Sequence, residues 1–371
     1  MDTLKSFEQA SKVIIKIGSS LLINSETGKL NAKWLRTLAE DIDSLKQQEK
    51  QVVIVSSGSI ALGRRILDFP AGKLSLEQTQ ASAACGQIKL AGMYGEILKP
   101  FGHKTAQILL TLDDNDNRKR FLNARATMST LLAMGVVPII NENDSIATDE
   151  IRFGDNDRLA AQVSVMIGAD ILVLFSDVDG LYDKDPRKHS DAVRLKTVSS
   201  VDSKIFAMAG STGTELSSGG MKTKLIAART AIKAGCAMVI SEGKVNHPLQ
   251  HLLKGGNCTW FIPEHDPQIA RKHWIASMKP KGSIYIDDGA VQALQSGKSL
   301  LPAGVHKVVG TFGRGDAVEI ISRKGERLGA GLIRYNKTES ELIKGHKSSE
   351  IEQILGFPGR AALIHRDDMS W

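Results

Sequence analysis

Val13-Ile14-Ile15-Lys16-Ile17-Gly18-Ser19-Ser20 is the stretch on which the reading of this chain turns. Its first five residues, mostly β-branched, favour a strand, and Gly18 ends it. The run is apolar except at Lys16, as suits a strand covered on both faces. Asn31 to Gln48 follows, with Trp34, Leu35, Leu38, Ile42 and Leu45 at helical spacing. Val52-Val53-Ile54-Val55 is apolar again. The rhythm recurs, with expected strands at Thr105 to Leu110, Val136 to Ile140, Ile171 to Phe175 and Ala237 to Ile240. Expected helices are Arg120 to Met134, Arg158 to Ile167 and Met221 to Ala234. Alternating buried strands and helices predict an α/β fold, an open and mostly parallel sheet sandwiched by helices.

Such sheets bind ligands beyond the carboxyl ends of their strands. The segments there are Gly18-Ser19-Ser20, Ser56-Ser57-Gly58-Ser59, Asn141-Glu142-Asn143-Asp144 and Ser176-Asp177-Val178-Asp179, all small, polar or acidic. Near Trp274 the rhythm changes. Met278-Lys279-Pro280-Lys281-Gly282 reads as a linker. Beyond it lie shorter runs, Ser283 to Ile286, Lys307 to Phe312, Ala317 to Ser322, Gly329 to Tyr335 and Ala361 to His365, punctuated by glycines. The expected organisation is a large domain over 1–264, a linker over 265–277, and a small β-rich barrel with few helices over 278–371.

Hydrophobic residues make up 42% of the 371 and charged residues 24%, which excludes disordered and collagen-like classes. The net charge is +7, compatible with anionic ligands and too small to require nucleic acid. Residues 275–371 hold 14 Lys/Arg against 11 Asp/Glu, so the excess is spread over both parts. Cys85, Cys236 and Cys258 are scattered, without metal-ligand spacing or a disulfide framework, which points to a reducing cytoplasm. No apolar run reaches 18 residues and no apolar segment follows the N-terminus, so neither a membrane span nor a signal peptide is expected.

Several nucleotide motifs are missing. There is no G-x-x-x-x-G-K-[ST], and no G-x-G-x-x-G follows the first strand. Asp113 to Asn117 begins like a calcium loop, but Arg118 stands where that loop needs Gly. What remains is Lys16, whose burial in an apolar strand costs several kcal/mol unless water, a partner or an anion meets its charge. The Gly18-Ser19-Ser20 turn offers backbone N–H groups to a phosphate. Ser218-Gly219-Gly220-Met221-Lys222-Thr223-Lys224 opens a helix, and lysines in a first turn oppose the macrodipole unless an anion is near. Asn141 to Asp144 and Gly154-Asp155-Asn156-Asp157 are dense acid–amide clusters, with Asp157 placed to cap the helix from Arg158.

Taken in order, these segments resemble the amino acid kinase family, and within it the branch that phosphorylates the side-chain carboxylate of L-glutamate. Phe121-Leu122-Asn123-Ala124-Arg125 and His365-Arg366-Asp367-Asp368-Met369 also look like that branch, and Ser283 to Asp368 resembles the PUA domain. The resemblance implies the amino acid kinase fold, ATP and Mg²⁺ as cofactors, and the first step of proline biosynthesis. By position, Lys16 and Lys224 contact the transferring phosphoryl group and Asp157 orients them. Ser57, Gly58, Asn141, Asp144, Asp155 and Asn156 hold glutamate. Lys16, Gly18, Ser19, Ser176, Asp177 and the segment Ser218, Gly219, Gly220, Met221, Lys222, Thr223 and Lys224 hold ATP. No metal ligand is assigned to the protein, since Mg²⁺ rides mainly on the ATP phosphates. The resemblance also implies a homo-oligomer, dimer or tetramer, with proline as feedback inhibitor and glutamyl phosphate reductase as a contact. Alternative readings are a kinase of aspartate or N-acetylglutamate, and an RNA-binding PUA protein.

Overall fold

The computed structural model describes residues 3–23, 30–70, 72–111, 114, 117–146, 156–209 and 220–371. They fall into two compact units, residues 1–116 with 124–267, and residues 117–123 with 268–371.

The first unit is built on strands β1 (Lys12–Ile17), β2 (Gln51–Ser56), β3 (Thr105–Leu110), β4 (Val137–Glu142), β5 (Ile171–Ser176), β6 (Leu181–Tyr182), β7 (Arg194–Leu195), β8 (Thr197–Val198), β9 (Ala237–Glu242) and β10 (Cys258–Phe261). Eight of them form one sheet in the order β3-β4-β2-β1-β5-β9-β10-β8. Every neighbouring pair is parallel except β10 with β9. β6 and β7 make a separate small hairpin. The expected mostly parallel α/β sheet is thus the observed one.

β1 lies in the middle of this sheet. Lys16 is in register with Val55 of β2 and Leu174 of β5. Val13, Ile15 and Ile17 are buried on one side of the sheet, together with Trp34, Leu35, Leu38 and Ile42 of the helix Ala32–Gln47. Burying such side chains contributes roughly 1.5–3 kcal/mol each, which holds β1 in a single register.

The helices Ser59–Ile66 and Leu76–Leu98 cross at two glycines. A Cβ on Gly63 would lie 1.7 Å from the Ser82 carbonyl oxygen, and one on Gly86 would lie 1.8 Å from that of Ser59. Backbone therefore meets backbone at this crossing. The sequence rhythm passed over this helix pair.

Two expectations shift. β4 runs to Glu142, so Asn141 lies inside the ladder, opposite Leu109 of β3, rather than in a loop after the strand. The next helix begins at Asn156, so Asp157 sits in its first turn and does not cap it.

The second unit carries β11 (Gly282–Ile286), β12 (Val305–Gly310), β13 (Ala317–Ser322), β14 (Arg327–Leu332) and β15 (Met369–Ser370), ordered β12-β11-β13-β14-β15. All pairs are antiparallel except β11 with β13. Short helices Asp288–Gln295, Lys337–Ile343 and Ile351–Leu355 accompany the sheet. Ala361 to His365, expected as a strand, makes only an isolated bridge between Ile364 and Leu300. Its Leu363 and Ile364 instead fill the core with Ile284, Val318, Ile320 and Ile333. The stretch expected as linker contains the helix Pro267–Ser277. Residues 117–123 group here too: the Arg118 guanidinium stacks on Phe121 and Trp274 and donates to the Gly315 carbonyl. Among the described residues no helix is long and apolar enough to cross a membrane.

Candidate active site

A cavity of about 470 Å³ opens at the carboxyl ends of β1, β2, β4 and β5. That size suits a small-molecule site. Its wall includes Lys16, Gly18, Ser19, Ser57, Gly58, Asn141, Asp144, Asn156, Ser176, Asp177 and Lys224, contributed by segments far apart in the chain. Gly220, Met221, Lys222 and Thr223 are not on the wall, and Lys222 is exposed. Asp155, Ser218 and Gly219 lie outside the described residues.

At one end of the cavity two lysines share a carboxylate. Lys16 Nζ is 2.5 Å from Asp157 Oδ1, and Lys224 Nζ donates to Asp157 Oδ2 at 3.0 Å. The Thr223 hydroxyl lies 3.3 Å from the same Oδ2 and donates to the nearer Gly220 carbonyl oxygen at 2.8 Å. Asp157 is 1% exposed, and both lysines are buried. Burial alone would raise the Asp157 carboxyl, but the Lys16 and Lys224 ammonium groups outweigh it and hold the group below its usual range. Lys16 reaches this point from the middle of the sheet, and Lys224 from the first turn of the helix Met221–Lys233, which starts after Gly220 without a side-chain cap. Lys224 thus brings its buried ammonium to a helix N-terminus, which itself favours anions.

The other end is a hydrogen-bond net of hydroxyls and amides. Asn156 Nδ2 donates to Ser57 Oγ and to Asn141 Oδ1, each at 2.8 Å. Asn141 Nδ2 donates to Ser59 Oγ at 3.1 Å and to Gln87 Oε1 at 2.8 Å. Ser59 Oγ donates to Asp144 Oδ2 at 3.2 Å. Burial pushes the Asp144 carboxyl up to about 6, with the Ser59 hydroxyl pulling weakly the other way. An ionisable carboxylate with so little compensation is suited to meeting a cationic group. Elsewhere on the wall, Ser176 Oγ donates to Asp177 Oδ1 at 3.1 Å.

Sequence reasoning does not single out several residues at or near the wall, Ser59, Arg64 and Gln87 among them. Ser59 carries no signal of its own within Ser56-Ser57-Gly58-Ser59, although it joins Asn141 to Asp144. Arg64 lines the cavity from the last turn of its helix. Gln87 lies behind the wall on the helix Leu76–Leu98, where nothing local distinguishes it. The Gly63 and Gly86 crossing is the one signal that links its helix to the site.

Comparison with known proteins agrees with this architecture. Residues 11–241 match the amino acid kinase family, and residues 282–355 match the PUA domain. A glutamate 5-kinase of Paracoccus denitrificans is 58% identical over 361 residues, 97% of each chain. One from Dinoroseobacter shibae is 56% identical, covering 99% of this chain and all of its own. The solved structure of carbamate kinase from Giardia lamblia bound to AMP-PNP aligns with 69% of this chain and 100% of its own, at 15% identity and a TM-score of 0.49. The chain belongs to the amino acid kinase family, alongside relatives that carry the name glutamate 5-kinase.

Proposed function

We propose that this chain transfers the γ-phosphoryl group of ATP to the side-chain carboxylate of L-glutamate, giving L-glutamyl 5-phosphate and ADP as the first step of proline biosynthesis. The observation that carries the reading is the pairing, within one cavity, of a buried Lys16–Asp157–Lys224 cluster with a hydroxyl–amide net ending in Asp144. The first is suited to an anion and the second to an amino acid.

Phosphoryl transfer needs positioning and charge neutralisation more than covalent chemistry. A side-chain carboxylate oxygen attacks the γ-phosphorus, the bond to the β–γ bridging oxygen breaks, and ADP departs. The nucleophile is already ionised, so no strong general base is required. Lys16 and Lys224 meet the charge on the transferring group, and Asp157 holds their ammonium groups in place. Ser57, Gly58, Asn141, Asp144 and Asn156 hold glutamate, with Asp155 beside them in sequence. The Asp144 carboxylate takes the α-ammonium, which selects a free amino acid over an acylated one. Gly18, Ser19, Ser176, Asp177 and the segment from Ser218 to Lys224 take the nucleotide. Among the described residues no three His, Cys, Asp or Glu side chains gather as a metal cage. Mg²⁺ would ride on the ATP phosphates and neutralise part of their charge when bound.

The same reading places the chain in the cytoplasm as a homo-oligomer, dimer or tetramer. Proline competes at the glutamate end, and the labile acyl phosphate passes to glutamyl phosphate reductase. RNA contact by the PUA domain gains little support from its slight charge excess. An ADP-release assay with glutamate, aspartate, N-acetylglutamate and no acceptor tests the reading. Release is expected with glutamate alone, and release with aspartate but not glutamate would sink it.

A further inference from the structure

We infer that Gln87, which does not line the cavity, is a positioning residue for glutamate: it supplies the second acceptor for the Asn141 NH₂ group and so holds Asn141 and Asn156 facing the way that Asp144 and Ser59 require. The inference rests on the glutamate reading of the site and extends it to a residue outside the pocket wall.

The direction of every bond in the net follows from its ends. An ionised Asp144 carboxylate can only accept, so the Ser59 hydroxyl must donate to it. Ser59 Oγ then accepts from Asn141, which turns the Asn141 NH₂ group toward Ser59 and its carbonyl toward Asn156. The second Asn141 hydrogen needs an acceptor, and Gln87 Oε1 supplies it at 2.8 Å. Asn156 must in turn point its NH₂ at Asn141 Oδ1 and Ser57 Oγ. Asp144, Asn156 and Ser57 all line the cavity, so on this reading an Asp144 oxygen and the Asn156 carbonyl meet the ligand as acceptors and the Ser57 hydroxyl meets it as a donor. That set complements an α-ammonium beside an α-carboxylate. With an amide reversed, donor would face donor and the pattern would break.

Two observations mark Gln87 as more than filling. It is 6% exposed, and among the described residues its Nε2 has no hydrogen-bond partner. A buried orphan donor is a standing cost that an apolar side chain would avoid. The cost is intelligible if the Oε1 acceptor on the same amide is what the site needs. Gln87 also follows Gly86, whose backbone contact with Ser59 presses this part of the helix against the start of the helix Ser59–Ile66. The crossing brings both acceptors of the Asn141 NH₂ group, Ser59 Oγ and Gln87 Oε1, to one place.

The test is steady-state kinetics and thermal melting of wild type and Gln87→Met, which keeps a long unbranched side chain but has neither amide atom. The expected result is a rise of about 10-fold or more in the glutamate KM, with the ATP KM within about twofold. The melting temperature should stay close to wild type, because one lost bond is offset by one removed orphan. Unchanged glutamate KM, or a parallel rise in both constants with a fall in melting temperature, overturns the proposal. Should Gln87→Met not fold, Gln87→Glu carries the test, since it retains an acceptor oxygen. Its glutamate KM is expected within about threefold of wild type, and a 10-fold rise overturns the proposal. Wild type inactive with glutamate would overturn the underlying reading as well, so the two failures are distinct.

Discussion

The two ends of the cavity are built on different physics. The charged end uses full charges: two ammonium groups, each within 3.0 Å of a shared carboxylate, all buried. The dipolar end uses oriented dipoles, five amides and hydroxyls in relay, with a single carboxylate at its edge. A charge attracts from any direction, whereas an amide net works only with every member facing the right way. The first arrangement is therefore powerful and tolerant, and the second selective and brittle.

Removing the hub of the charged end should have the largest effect. Asp157→Ala leaves two ammonium groups buried without their carboxylate, and loss of about 3–5 kcal/mol of stability is expected. A denaturation curve checks this, and a change below about 1 kcal/mol would show that water already screens the cluster. Lys224→Ala or Lys16→Ala should keep the fold and lose roughly 10²–10³ in kcat. Near-normal turnover in either purified variant would break the assignment of the charged end.

At the dipolar end, Asp144→Asn should raise the glutamate KM by about 30-fold or more and leave the ATP KM alone. Equal changes in both would make Asp144 structural. Its titration offers a finer probe. Asp144 must be ionised to hold an ammonium, and its carboxyl is pushed up to about 6. The ionised fraction falls about tenfold per pH unit below that value, so the glutamate KM should climb as pH drops through 6. The slope should vanish in Asp144→Asn. The sign for stability is opposite to that of a salt-bridged acid: without substrate the fold favours protonated Asp144, and stability declines as pH rises from the unfolded value toward 6. Asp157, held low, contributes stability that is lost only in stronger acid. The smallest effect is expected at Lys222, exposed beside the charged cluster. Lys222→Ala should change the ATP KM by no more than about threefold, and a larger loss would extend the charged end beyond the cavity wall.

The same contrast explains what could be read in the sequence. Lys16 is visible because a charge interrupts an apolar strand, and Lys224 because lysines crowd a helix start. Asn141 and Asp144 are visible as dense polar residues after an apolar run, although β4 in fact extends through Asn141. Asp157 looked like a helix cap because capping is the commonest local task for Asp at a helix start; its lysine partners lie 141 and 67 positions away. Gln87 gave no sign, since a glutamine on a helix violates no local rule and its role exists only once the chain has folded. In the second unit, Ala361 to His365 has strand composition, yet its apolar residues are used to fill the core rather than to pair. The grouping of residues 117–123 with that unit rests on the Arg118 stack, which joins positions 156 residues apart.

The crossing at Gly63 and Gly86 bears on how such a pocket can evolve. With backbone against backbone, the helices Ser59–Ile66 and Leu76–Leu98 cannot move closer, and any larger residue at either glycine would drive them apart. The spacing of these two helices is thus determined by the main chain, not by side-chain bulk. A relative that accepts a different amino acid on the same scaffold would have to exchange atoms on the rim, an amide for a carboxylate or a hydroxyl for a methyl. Selectivity here is open to chemical editing and closed to resizing.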